Sequence, residues 1–188
     1  MFQVQIHLEN RDEIIRLLEA SGKKAKPLLK KAVNQTARRA KKSLYKQTKR
    51  TYTIKQTEFS EKNLELKRAT NSGEAQIKVY GSPLSLPKGY QIRKNGRRSP
   101  AKAAIKRGSM KPIEAGGIKG FLAVVKRKGQ TEGHKEIFQR KGTARNPIRE
   151  SKGPAISKLT EMTFKKLQGE VEQNLQESVW HMIDELFK

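Results

Sequence analysis

Cysteine is absent from all 188 residues. Disulfide frameworks and thiolate zinc sites are therefore excluded, and assembly in the cytoplasm is compatible with the composition. Aromatic residues are scarce at 6%, and Tyr45, Tyr52, Tyr80 and Tyr90 do not gather in the sequence as a base-stacking platform. No apolar run approaches the roughly 20 residues that span a bilayer. The opening MFQVQIHLENRDE lacks the basic flank and apolar stretch of a signal peptide. There is no internal repeat. Acid is scarce too, with 18 Asp and Glu against 42 Lys and Arg, a net charge of +24.

The charge is uneven. Residues 154–188 hold four basic and six acidic side chains, a net of −2, so the first 153 residues carry +26. Such a field calls for a polyanion or an acidic protein surface as partner and says little about fold.

Periodicity supplies the elements. Phe2, Val4, Ile6 and Leu8 alternate with polar residues as a short strand does, and an amphipathic segment follows over Asp12 to Ala20. From Lys23 to Arg50 the pattern is helical. Leu28, Leu29, Ala32, Val33, Thr36, Ala37, Ala40 and Leu44 fall on one arc, and lysine and arginine occupy the other side without a single acid. The arc consists mostly of small residues. It suits close packing on a sheet or helix, and makes a poor membrane binder.

Ile54 to Lys62 reads as a short helix. Leu64–Ala69 and Ala75–Tyr80 alternate around Asn71-Ser72-Gly73, the signature of a hairpin. Further strands are expected over Ala103–Ile113, Gly120–Val125 and Glu136–Arg140. The glycines and cations of residues 88–100 read as a mobile loop. Gly153-Pro154 places a helix N-terminus at Pro154, just after Arg145, Arg149 and Lys152, because proline is favoured in a first turn. Ile156, Leu159, Leu167, Val171, Leu175, Val179, Met182 and Leu186 form the apolar stripe of that final helix, with a kink expected at Gly169. Met162, Trp180, Ile183 and Phe187 form a second apolar patch, which fits burial against another subunit.

The fold class is thus α+β. It comprises an N-terminal basic helix, an antiparallel, curved sheet of about four to six strands, and a long C-terminal helix. One domain over residues 1–188 accommodates them, with the basic loop around 88–100 and a helical segment over 154–188.

Enzyme chemistry has little support. His7, His134 and His181 are scattered and show no metal-ligand spacing; His134, between Gly133 and Lys135, reads as a solvated turn residue. Gly116-Gly117-Ile118-Lys119-Gly120 lacks the spacing of a phosphate loop, and there is no G-x-S-x-G. Asp12-Glu13 and Asp184-Glu185 read as solvated charge. No catalytic, cofactor or metal residues are assigned. The charge pattern leaves Arg38, Lys42, Lys46, Arg93, Arg97, Arg98, Arg145, Arg149 and Lys152 as candidate contacts to DNA phosphate or an acidic neighbour. No motif for sequence-specific reading appears.

Four stretches occur in a telling order. They are Ala32-Val33-Asn34-Gln35-Thr36-Ala37 in the basic helix, Gly120-Phe121-Leu122-Ala123, Ile137-Phe138-Gln139-Arg140-Lys141, and Asn146-Pro147-Ile148 followed by Gly153-Pro154-Ala155-Ile156. Together they resemble the minor tail protein Z family of long-tailed phages. The resemblance covers residues 25–165, is hard to follow over 84–113, and has no motif beyond Gly169. It implies a structural, non-catalytic tail-completion or neck protein without a cofactor, sited in the virion at the head-proximal end of the tail. It implies a ring of this chain, sixfold to match the tail, around the genomic DNA. The tail terminator or tail tube and the head-connector proteins are the implied neighbours. In that setting residues 142–159 become a structural junction. The alternative from a different class is a free nucleic-acid-binding protein without sequence preference, and salt-sensitive DNA binding by the isolated chain separates the two.

Overall fold

The computed structural model describes residues 1–20, 25–70, 73–93, 100–126, 129 and 131–187. The chain begins with β1 (Phe2–Ile6), α1 (Arg11–Ala20), α2 (Ala25–Thr51), β2 (Leu64–Lys67) and β3 (Ala75–Val79). Next come β4 (Pro83–Ser85), α3 (Leu86–Gly89), β5 (Gln91–Arg93), β6 (Lys102–Ala104), β7 (Met110–Pro112), β8 (Glu114–Ala115) and β9 (Ile118–Lys119). The last are β10 (Phe121–Val125), β11 (His134–Arg140), β12 (Ile148–Glu150), β13 (Lys152–Ala155) and α4 (Ile156–Phe187). These elements form two compact units. One comprises Met1–Gln47, Glu61–Tyr80 and Thr160–Lys188; the other comprises Thr48–Ser60 and Gly81–Leu159.

In the first unit, β3 is the central strand between β1 and β2, antiparallel to both. Val4 of β1 and Leu66 of β2 both stand opposite Ile77. Val4, Ile6, Leu64, Ala75, Ile77 and Val79 are buried, so the alternation in the sequence is the burial pattern of the sheet. The Phe2 ring meets Phe164 of α4 at 6.0 Å between centroids, tilted by 53°. The apolar arc of α2 is buried as its spacing predicts from Leu29 through Ala32, Val33, Ala37 and Ala40 to Leu44, with Leu28 only half-buried at its start.

Asn34 has a specific task on that helix. Its Oδ1 accepts from the Ala69 amide at 2.8 Å, and its Nδ2 donates to the Ala69 carbonyl at 3.4 Å. Asparagine is otherwise a poor interior helix residue, because its side chain competes for backbone groups. Here it satisfies both polar groups of a buried residue just after β2, as an adjacent strand would.

The second unit is built from short strands. The single sheet expected from the sequence is replaced by small ones. In this unit they run β10-β11-β12, β5-β6-β7, β13-β4 and β8-β9. The stretch Ala103–Ile113, expected as one strand, turns at Gly108 (φ +73°) and becomes the β6–β7 pair. The expected helix over 54–62 is a turn followed by a single 3-10 turn at Glu61–Asn63. The Thr53 amide bonds to the Ile105 carbonyl at 2.9 Å and the Lys55 amide to the Gly89 carbonyl at 2.9 Å, which holds the start of this segment extended. Within the residues read as a loop, 88 and 89 close α3 and 91–93 form β5; residues 94–99 lie outside the described residues.

Among the described residues β10 lies at the edge of its sheet, pairing β11 on one side only. Its sequence, FLAVV, has no charge and no proline, and Val124 is 63% exposed. α4 runs from Ile156 to Phe187 as one helix through Gly169, where a kink was expected.

Candidate functional site

The junction at 142–159 is organised differently from its sequence reading. Gly153-Pro154 does not open the helix. Lys152–Ala155 is β13, paired antiparallel with β4, with an irregular register between Lys152↔Ser85 and Ala155↔Pro83. A bulge of this kind absorbs a proline that cannot donate to the ladder. The helix starts two residues later, at Ile156, and the Ser157 hydroxyl donates to the Gly81 carbonyl at 3.2 Å.

Tyr90 explains the glycine. Its ring is fully buried over Gly153, and a Cβ at that position would overlap the ring. Its hydroxyl donates to the Pro154 carbonyl at 2.6 Å. Burial pushes the Tyr90 phenol up to about 12. Counting tyrosines for a stacking cluster missed this residue. Nothing in the sequence spacing connects Tyr90 with Pro154, 64 positions away.

The nine candidate cations fall into three groups. Arg38, Lys42 and Lys46 stand on α2 at successive i,i+4 spacing, all exposed, and Arg50 continues the row. Like charges at that spacing each cost about 0.2–0.5 kcal/mol in an isolated helix. α2 contains no acid to offset them, so its buried arc sustains the repulsion. Arg93 is exposed at the end of β5, directly opposite Lys102 of β6, another like-charge pair. Arg97 and Arg98 lie outside the described residues.

Arg145 and Arg149 are separated from the start of α4 by β13, and Lys152 is the first residue of β13 rather than a neighbour of the helix N-terminus. Arg145 is exposed in the β11–β12 connection. Arg149 donates from Nη2 to Oε1 of Gln139 at 2.8 Å, across the β11–β12 register. Gln139 is itself buried and donates to the Ile118 carbonyl at 2.5 Å. Lys152 Nζ lies 3.7 Å from Glu150. Arg149, Glu150 and Lys152 rim a cleft of about 430 Å³ whose wall includes Leu86, Ile105 and Ile113.

In the second apolar patch Met162 is 44% exposed, Trp180 is 65% exposed and Ile183 is half-buried. The side chain of Phe187 lies outside the described residues. His134 opens β11 rather than sitting in a turn, with Nε2 3.8 Å from Glu136. Among the described residues no group of three or more His, Asp or Glu side chains could hold a metal ion, and no helix is long and apolar enough to cross a membrane.

The arrangement offers fixed positive charge on a regular helix, a braced junction and uncovered apolar side chains. It can neutralise a polyanion or an acidic surface. No curated protein and no solved structure matches the chain. The family model described as Prophage minor tail protein Z (GPZ) matches residues 9–187.

Proposed function

The chain belongs to the prophage minor tail protein Z family, and we propose that it completes the tail as a structural ring subunit at its head-proximal end, where it supports head joining and DNA passage. A phage tail structural role follows from the family; the ring, its sixfold symmetry and the neck position are our reading. So are its neighbours, namely the tail terminator or tail tube and the head connector. We assign the protein no catalytic step and no cofactor.

The observation that carries the reading is α2, with exposed cations at Arg38, Lys42, Lys46 and Arg50 and no acid along its 27 residues. A row of unrelieved like charge is unfavourable for the free subunit and favourable beside phosphate, where neutralisation releases counterions. A DNA path through a ring supplies such a partner. Arg93 is exposed enough to add to the field, whereas Arg149 and Lys152 already serve internal contacts.

The deciding experiment is immunogold labelling of the protein on intact particles from a producing lysate. Label confined to the head–tail junction is the expected result. Consistent absence from particles, with the protein recovered on nucleic acid, would replace this reading by that of a free nucleic-acid-binding protein.

A further inference from the structure

The chain displays two surfaces of opposite charge. Every residue from 140 to 150 is exposed. This arm is the end of β11, the connection and β12, closed at its base by the Lys141 amide bonding to the Pro147 carbonyl at 2.9 Å. It contains Arg140, Lys141, Arg145 and Arg149, with no acid before Glu150. Among the described residues Arg140, Lys141 and Arg145 form no ion pair with an acid.

The second surface is the distal half of α4. Between Lys166 and Lys188 the helix has five acids and no lysine or arginine. Gln173, Glu177, Trp180 and Asp184 follow one another at spacings of four, three and four, which sets them along one strip. All four are exposed. Glu177 accepts from Gln173 at 3.0 Å, and among the described residues neither Glu177 nor Asp184 meets a cation. An exposed tryptophan between two carboxylates that meet no cation among the described residues is the composition of an interface hot spot for a basic partner. Arginine can both stack on the indole and pair with the acids.

We infer that these surfaces belong to one contact: the arm at 140–149 of one copy docks on the Trp180 strip of the next copy. Charge complementarity selects the occupant. The strip repels polyanions, so DNA does not cover it, and on a chain of net +24 the arm is a concentrated basic element free of internal acid. Two copies related by a two-fold axis through either surface would set like charges together. A head-to-tail contact avoids this, and contacts of that type form a ring where the rotation closes. The inference rests on the ring reading above and adds which surfaces make the ring.

The absence of native cysteine makes the test direct. Thr143→Cys in the arm and Gln176→Cys beside Trp180 are introduced into the full chain. The purified protein and particle-bearing lysate are then oxidised. The expected result is a ladder of dimers, trimers and larger species that requires both cysteines. Reversing the arm with Lys141→Glu and Arg145→Glu should lower the yield by about tenfold, as should reversing the strip with Glu177→Lys and Asp184→Lys. Both reversals in one chain should restore it. Circular dichroism checks that each variant is folded. No ladder, a cross-link within single chains, or a ladder indifferent to charge reversal would overturn the contact. Junction labelling without a ladder would leave the neck position standing and remove this contact. A ladder from protein absent from particles would do the reverse.

Discussion

The Tyr90 hydroxyl donates to the Pro154 carbonyl at 2.6 Å, and the same ring closes over Gly153. One side chain therefore fixes both residues of the Gly-Pro pair that precedes α4. Removing the hydroxyl with Tyr90→Phe leaves the ring in place and the carbonyl without its donor. The expected loss is about 1–2 kcal/mol of unfolding free energy, read from urea denaturation midpoints.

Gly153→Ala is expected to be worse, because the added methyl overlaps a buried ring held by its own hydrogen bond. Overpacking of this kind costs about 1–3 kcal/mol. A thermal melt of Gly153→Ala beside Gly153→Ala combined with Tyr90→Leu tests the cause. If the ring is the obstacle, the second substitution costs less in the alanine background than in the native one.

The same tyrosine sets a base limit. Its folded-state pKa of about 12 lies above the ordinary 10.0, because burial favours the neutral phenol. Folding thus gains from the neutral form. That gain is whole below pH 10 and is lost as pH rises through 12. Stability measured from pH 9 to 12 should fall less steeply in Tyr90→Phe than in the native chain.

Much of the first unit was legible in the sequence. β1, the β2–β3 hairpin and α2 are long or regular enough for their apolar periods of 2.0 and 3.6 to fix them. In the second unit β10 and β11 were legible for the same reason. The two- and three-residue strands were not, because runs that short carry no readable period: β8 and β9 merely close the Gly116-Gly117 turn, and β4 is a strand only through its pairing with the distant β13. Pro154 shows the limit most clearly. Its local preference favours a helix start, and pairing with β4 overrides it. Of the candidate site, the exposure of Arg38, Lys42 and Lys46 followed from helical phase. The internal use of Arg149 and Lys152 depended on Gln139 and Glu150, whose orientation no local pattern reveals.

Asn34 gives a further prediction. Asn34→Leu removes both hydrogen bonds to the Ala69 backbone, and the buried amide and carbonyl lose their partner. The expected cost is about 2–3 kcal/mol. Hydrogen exchange at the Ala69 amide should accelerate before the rest of the unit opens, which distinguishes loss of this clamp from general loosening.

Neutralising Arg38, Lys42 and Lys46 together with glutamine should leave the melting temperature unchanged or raise it, since like-charge repulsion along α2 is removed. Affinity for duplex DNA should fall. The slope of log K against log salt should flatten by about 0.9 for each phosphate that is no longer neutralised. An unchanged slope would show that these side chains do not face the polyanion.

The open side of β10 has a practical meaning for anyone handling the separated subunit. Five uncharged residues offer an edge unpaired among the described residues, and none of the usual guards against edge-to-edge pairing is present within them. Mutual repulsion at a net charge of +24 opposes that edge pairing. Strong salt, the customary means of stripping nucleic acid from a basic protein, screens that repulsion within a few ångströms. The wash that cleans the protein is the same wash that lets its seams stick.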